Sequence, residues 1–544
     1  MRFYSIFLFL ICLLNNQLAF TQSNEKYYYR LYFTDKNNST FSVHRPEEFL
    51  SKRAIERRAK QAIAIDSSDL PVNAHYIEQV LTAADVRLRY VLKWENAISV
   101  ELNDTSTLAD LRKLSCVKQI EYISKSSAYK RANNKLQVNY TVADYGEAAN
   151  QNTMINVQYL HNKNFEGQDI HIAVHDAGFI GLDTMQAYEN LFAEKRILGT
   201  RNFVNDTQSV YLKSTHGMVV MSCMASKLPG KSIGTAPKAK YYLFLTEDVS
   251  SESRLEEENW VAAAEYGDSL GIDIINSSLG YTTFDDSTEN YTYADLDGNT
   301  TLITRGANKA ATKGILVINS AGNYGAAPWR YIGAPADGDS VLAVGAVDKD
   351  RKIAAFSSRG PSYTGKLKPN VSAQGEGAFV TYLDGEVYPI NGTSFSSPII
   401  AGAAASLWSA FPEAKAYQIR NAIEKSAHLY QSPNNDFGYG IPNFSRAFTL
   451  LLRDNNYPLA GYSMRVYPNP FTQFFKVELI TPKPELGVHF QLYNVQGKLV
   501  REYMLSKKSV YSDFTFWMED MQSGIYFLRM QHANEVEIQK LIKF

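Results

Sequence analysis

The 544-residue chain has 3 cysteines, and its 55 lysines and arginines are balanced by 56 aspartates and glutamates. So few thiols exclude a disulfide framework as the basis of the fold. A net charge of -1, with no long basic run, excludes the electrostatic footprint of a nucleic-acid binder. Beyond the amino terminus no apolar stretch reaches the ~20 residues that a membrane-spanning helix needs, so no transmembrane span is expected. The one long apolar run, Phe3 to Leu14, follows Arg2 and breaks at Asn15-Asn16-Gln17, which is the layout of a secretory signal peptide. Cys12 lies inside it, and Ile11 before it is not the small residue that lipid attachment requires. Cys116 falls in a segment read below as removable. Cys223, seven residues after His216 on an expected helix, reads as a small buried hydrophobe.

A chain of this length exceeds the roughly 250 to 300 residues at which single cores stop growing, so several domains are expected. After a leader over 1–22, residues 23–131 alternate strand patterns (Tyr27 to Phe33, Ala97 to Leu102, Gln119 to Tyr122) with charged helical ones (Glu47 to Ala59, Asn73 to Ala84). That is a small α+β domain. Asp104 to Thr107 supplies cap residues for a helix over Leu108 to Leu114. A polar stretch from Ser124 to Lys135, with the basic pair Lys130-Arg131, reads as an exposed linker open to proteolysis. Residues 132–455 form the largest unit. Its strand candidates, Ile170 to Val174, Tyr241 to Leu245, Ile272 to Ser277, Ile315 to Ser320 and Val341 to Val347, are continuous apolar runs separated by helical segments, which predicts an α/β domain with a parallel sheet covered on both faces. Over 461–544 the pattern changes to period-two alternation (Phe474 to Leu479, His489 to Tyr493, Asp513 to Trp517, Gly524 to Met530), and a small β-sandwich is expected there.

Four segments of the α/β unit carry chemistry: Val174-His175-Asp176-Ala177-Gly178, Ser214-Thr215-His216-Gly217, Ser320-Ala321-Gly322-Asn323, and Asn391-Gly392-Thr393-Ser394 through Pro398. Each sits at a strand end or a helix start, where open α/β sheets collect their ligands. Ser394 precedes a small-residue apolar helix, whose first-turn amides favour a developing negative charge. A serine hydroxyl is a weak nucleophile until a base takes its proton. His216, with an ordinary pKa of about 6.5, can accept and return that proton near neutrality. Asp176 can fix the imidazole tautomer and stabilise the imidazolium, and Asn323 can donate its amide to an oxyanion. His175 should point to the opposite face of the strand and read as structural. The chain order Asp, His, Ser is that of subtilisin.

These residues resemble the subtilisin family of serine proteases over about 310 residues, by the motifs around Asp176, His216-Gly217, and Gly392-Thr393-Ser394 with Pro398. The resemblance implies a subtilisin-like parallel sheet flanked by helices and a serine endopeptidase that cuts proteins or peptides through an acyl-enzyme. It also implies an extended substrate paired against Ser278-Leu279-Gly280, with Gly322 contributing to binding. Ala355 to Pro361 (Ala-Phe-Ser-Ser-Arg-Gly-Pro) is a further match. Met218, Tyr281 and Tyr324 depart from the usual pattern, the two tyrosines near the primary specificity pocket. Phe49 to Arg58 resembles the propeptides of such enzymes from Bacteroidetes-type bacteria. The tail, through Tyr467-Pro468-Asn469-Pro470, Leu492 to Val500, Ser523 to Leu528 and Gln539 to Ile542, resembles the sorting domain read by the type IX secretion machinery. The implied location is outside a Gram-negative cell, released or on its surface.

No cofactor is required by this chemistry. Asp295-Leu296-Asp297-Gly298-Asn299 has the oxygen spacing of a calcium loop but lacks its distal glutamate, so calcium is an option and a solvated turn is the plainer reading. Two alternatives share the fold: a surface-binding protein without turnover, and a peptide ligase using the same acyl-enzyme.

Overall fold

The computed structural model describes residues 26–125, 145–455, 463–480, 488–505, 511–532 and 535–544. The expected leader over 1–22, Cys12 and the Lys130-Arg131 pair lie outside them.

The leading domain is a four-stranded antiparallel sheet in the order Arg87–Leu92, Ala97–Leu102, Tyr27–Phe33, Val117–Lys125. Alternate residues Leu31 and Phe33, with Ile98, Val100 and Leu102, pack against Val80 and Leu111 of its helices. The helix expected over 47–59 runs instead over Lys52–Gln61, because Ser51 accepts from the Ala54 amide and so marks its start; Pro46–Glu48 is a separate 3-10 turn. Likewise Asn73 caps Ala74–Ala83 through the His75 amide. Asp104 caps the 3-10 turn Thr105–Thr107, and the α-helix after it stops at Leu111 rather than Leu114. The strand Arg87–Leu92 has no counterpart among the expected elements: its arginines and partial burial give no clean alternation.

In the central domain seven parallel strands follow the order Val371–Gln374, Leu342–Val347, Leu316–Ser320, Ile274–Ser277, His171–Asp176, Lys240–Leu245, Ile197–Asn202. The five inner ones are those expected from the sequence, each fully or almost fully buried. The two edges, the half-buried Ile197–Asn202 and the short Val371–Gln374, lack a long apolar run and escape sequence reading. Alternation along His171–Asp176 divides the core in two. Ile172 and Val174 face the helices His216–Ala225, Thr393–Ala410 and Phe444–Asn455, while Ala173 faces Leu255–Leu270 and Leu302–Thr312. Chain order reverses between the neighbouring strands His171–Asp176 and Ile274–Ser277, so a crevice opens at their carboxyl ends.

The tail is two antiparallel sheets, one of three strands and one of four, sharing a core that includes Phe475, Val477, Phe490, Phe516, Leu528 and Met530. Its turn at 494–498 closes because the Asn494 side chain accepts from the Gln496 and Lys498 amides, with Gly497 at φ +73°.

Docking of the leading domain centres on one helix, Leu255–Leu270, with further bonds from Arg53 to Asp273, Asp69 to Lys313 and Gln61 to the Gly314 carbonyl. Glu265 and Asp268 lie seven and ten residues after Glu258 on one face, and all three are buried. Glu258 binds Arg30 at 2.9 Å and the Ser99 hydroxyl. Glu265 accepts the backbone amides of Lys93 and Trp94, at 2.8 and 2.9 Å. Asp268 holds Arg57, Arg58 and Lys93. Burial opposes ionisation of Asp268, but Lys93, Arg57 and Arg58 together keep its carboxyl well below the ordinary range. Removing one partner of a buried pair costs about 3–5 kcal/mol because the others stay desolvated and uncompensated. In a chain kept uncleaved by Ser394→Ala, Asp268→Ala should therefore loosen the leading domain, read as hydrogen exchange in Tyr27–Phe33 accelerated by about two orders of magnitude or more.

Candidate active site

Asp176 is the last residue of a central strand and is completely buried. Its Oδ1 accepts from the Ala177 amide and from His216 Nδ1, both at 2.8 Å. His216 opens its helix, its amide donating to Ser214 Oγ at 3.0 Å. The glycines of both motifs permit this approach. The Gly217 amide donates to the Gly178 carbonyl at 2.9 Å, and a Cβ on Gly217 would sit 2.6 Å from that oxygen and 2.7 Å from the Phe179 ring. Gly178 adopts φ +142°, and a Cβ there would meet the Leu212 carbonyl at 2.2 Å.

The imidazole environment is strongly anionic. Burial works to lower the His216 pKa, but Asp176, by charge and hydrogen bond, and then Glu247 outweigh it and raise it to about 9. Burial in turn raises the Glu247 carboxyl to about 7, with His216 pulling the other way. Glu247 lies two residues beyond the strand Lys240–Leu245 and carries no motif, so sequence reading missed it. The only sign available was its place just past a strand end.

Ser394 lies in the first turn of Thr393–Ala410 and is 9% exposed. Its hydroxyl donates to the Ser278 carbonyl at 3.3 Å, while Ser278 Oγ donates back to the Ser394 carbonyl at 2.9 Å. The Ser394 hydroxyl is thus turned to Ser278 rather than to His216 in this structure. The next residue, Phe395, places its ring 6.0 Å from the His216 ring, so helix start and imidazole are neighbours. Catalytic hydrogen bonds are often long or misaligned without substrate, and a serine hydroxyl has alternative rotamers.

Asn323 is oriented by a residue that the sequence placed in the motif without giving it a task. Asn323 Oδ1 accepts from both the amide and the hydroxyl of Thr393, each at 2.9 Å. With its oxygen occupied, the amide nitrogen of this exposed residue is left to donate. Thr393 Oγ1 also accepts from the Gly322 amide at 3.2 Å. Gly322, at φ +105°, could not carry a Cβ without approaching Ser358 Oγ to 2.9 Å. Ser358 braces this loop, its amide donating to the Gly322 carbonyl and its Oγ accepting from the Tyr324 amide. That gives the Ala355 to Pro361 match a physical task.

The expected substrate edge, Ser278 to Gly280, leaves the sheet where Ile274–Ser277 ends. The Leu279 carbonyl is taken by Asn319 Nδ2 at 2.9 Å, and the Gly280 carbonyl receives the Tyr324 hydroxyl at 3.4 Å. A Cβ on Gly280 would meet nothing nearer than 3.9 Å, so the backbone there fronts open space. Of the departures, Met218 and Tyr281 are buried, whereas Tyr324 is half-buried beside the edge. His175 is buried between Phe244 and Trp260, and burial lowers its pKa to about 3, so it stays neutral. The Cys223 thiol is pushed up to about 12 by burial and is unreactive packing.

Asp295 and Asp297 act as caps, Asp295 for the Thr292 amide and hydroxyl, Asp297 for the Asn299 and Thr300 amides. Among the described residues no group of three or more metal-ligating side chains could hold a metal ion, and no helix is long and apolar enough to cross a membrane.

Comparison with known proteins places the subtilase family over residues 167–440, the Bacteroidota propeptide domain of the same peptidases over 28–139, and a secretion-system C-terminal sorting domain over 465–543. Similar relatives include subtilisin E of Bacillus subtilis strain 168, 30% identical over 300 residues, which is 54% of this chain and 70% of that protein. Subtilisin DY of Bacillus licheniformis is 28% identical over 276 residues, 50% of this chain and 89% of that protein. A thermostable alkaline protease of Halalkalibacterium halodurans is 29% identical over 296 residues, 54% and 72%. With a propeptide at one end and a sorting domain at the other, the protein is a serine endopeptidase that acts outside the cell, secreted or at the surface. The chain belongs to the subtilase family.

Proposed function

We propose that Ser394 is the nucleophile, His216 the general base and acid, Asp176 its orienting anion, and Asn323 the oxyanion donor. The observation that carries this is the convergence at one crevice of the Asp176–His216 bond and an Asn323 amide whose free nitrogen is fixed by Thr393, the residue before Ser394. Ser394 Oγ attacks the scissile carbonyl as its proton passes to His216 Nε2. The carbonyl oxygen takes up the negative charge against Asn323 Nδ2 and the first-turn amides of the Ser394 helix. His216 returns the proton to the departing amine, and a water deprotonated by His216 then releases the acyl group and restores Ser394. Ser278, Leu279, Gly280 and Gly322 hold the substrate backbone in this reading, which favours extended polypeptide of varied sequence. Nothing in the cycle calls for a cofactor. Calcium at 295–299 would be structural.

The same reading makes the leading domain removable in the Lys130-Arg131 region and assigns the tail to the type IX secretion machinery, with catalytic-domain limits near 132 and 455. Amino-terminal sequencing of the exported enzyme should give a start after the leading domain; a start before Lys26 would contradict it.

A fluorophosphonate probe should label the processed enzyme and fail on Ser394→Ala. Asn323→Ala should keep KM within a few-fold while kcat falls about 100- to 1000-fold, the cost of losing one oxyanion donor in subtilisin, a relative of this chain. Since His216 acts as base only when neutral, kcat/KM should rise with pH and reach half its plateau in the region of about 9. Glu247→Gln removes an anion that stabilises the imidazolium, so the acid limb of that profile should move to lower pH. An unmoved limb would remove Glu247 from the site.

A further inference from the structure

Beyond the substrate edge, between the central and leading domains, lies a cavity of about 520 Å³ whose central-domain wall carries Asp248, Glu252, Glu256, Asp285 and Asp286. Its walls extend the segments that flank the crevice: 246–256 follows the strand Lys240–Leu245, and 284–287 follows Ser278 to Gly280. The two walls are tied together, the Glu252 amide donating to Asp285 Oδ2 at 3.0 Å and the Asp285 amide to the Glu252 carbonyl at 2.9 Å. At the base sits Glu256, 1% exposed. Its Oε1 accepts from the Asp248 amide at 2.8 Å, and its Oε2 is buried with no hydrogen-bond partner. Burial, then Glu247 and Glu252, push that carboxyl well above its ordinary range, a cost that an arriving cation would offset.

Among the described residues, the nearby cations Arg254 and Lys213 of the same domain are directed elsewhere or reach only the cavity's edge. Arg254 is committed to the Glu289 carbonyl and lies over the Tyr291 ring, and Lys213 reaches Asp248 only at 3.9 Å. What lines it instead is the leading domain: Arg89, 3.4 Å from Asn259, and the end of the strand Val117–Lys125, through Ser124 and Lys125. Lys125 adds to the Thr288 hydroxyl and amide in holding the Asp286 carboxyl below its ordinary range. The leading domain precedes its own cleavage region in the chain. The polypeptide that its last strand delivers to this cavity is therefore on the amino-terminal side of the bond to be cut.

We infer that in the mature enzyme, once the leading domain has left, the acidic wall of this cavity receives a lysine or arginine side chain of the polypeptide substrate, several residues amino-terminal to the scissile bond. The inference rests on the endopeptidase reading above and deepens it to a substrate class: chains carrying a cation upstream of the cut. A metal ion fits less well, since no three of these carboxylates converge as ligands. A guanidinium spreads five donors over a planar fork that can bond carboxylates on both walls, and an ammonium can pair with one of them through a charge-assisted bond, neither of which needs three convergent ligands.

The test uses the processed enzyme and internally quenched peptides that differ at one upstream position, lysine or arginine against norleucine or citrulline. At one such position the cationic peptide should be cut with kcat/KM about tenfold higher, the size of one charge-assisted hydrogen bond. In Asp285→Asn/Asp286→Asn, and separately in Glu252→Gln, that ratio should fall towards one. Enzyme that takes the fluorophosphonate label yet shows no cationic preference at any upstream position, or a preference that neither variant alters, overturns this inference and leaves the endopeptidase reading standing. Processed enzyme that takes no label overturns both.

Discussion

A carboxylate with no exposure to water must find its stabilisation inside the protein, and Asp176 finds it in the Ala177 amide and the His216 ring. That demand organises the crevice. It requires the helix start at His216 to come within hydrogen-bonding reach of a strand end, which requires glycine at 178 and 217, because a Cβ at either would overlap backbone. It also sets the chemistry, since the same carboxylate that fixes the ring raises its affinity for a proton. The parallel sheet makes the arrangement possible by presenting several strand ends side by side where chain order reverses.

The opposite side of the crevice is built from smaller contacts with the same logic. Thr393 uses its amide and hydroxyl to hold the Asn323 oxygen, and its Oγ1 also receives the Gly322 amide. Ser278 and Ser394 exchange hydrogen bonds, so the segment that leaves Ile274–Ser277 and the start of the helix Thr393–Ala410 share one anchor. A donor poised for a developing charge needs its orientation fixed in advance, and neutral hydrogen bonds do that without introducing a charge that would compete with the one to be stabilised.

Charge is concentrated instead on the helix Leu255–Leu270 and the loops around it. One face of that helix, through Glu258, Glu265 and Asp268, binds the propeptide, and its first turn supplies Glu256 to the acidic cavity. A single element thus carries both the docking face for the propeptide and part of the acidic cavity wall. Buried carboxylates on this scale are destabilising unless paired, which ties the exposure of this surface to the departure of the domain that pairs it.

The chain by itself determined the three units, the five inner strands as continuous apolar runs, and the reactive residue types, because each is written in local pattern: Val174 and Ile318 are buried whichever neighbours they meet, and His216-Gly217 or Gly392-Thr393-Ser394 is readable in place. Edge strands such as Ile197–Asn202 were not legible, since one side of an edge has no neighbouring strand and its composition is correspondingly mixed. Only the folded chain decided that Thr393 orients Asn323, that the charge of Glu247 acts on His216, and that Asp268 gathers Arg57, Arg58 and Lys93. These contacts join residues 31 to 211 positions apart, and no local periodicity encodes which distant side chains will share a site: that is set by strand order and helix placement, which close the sequence on itself.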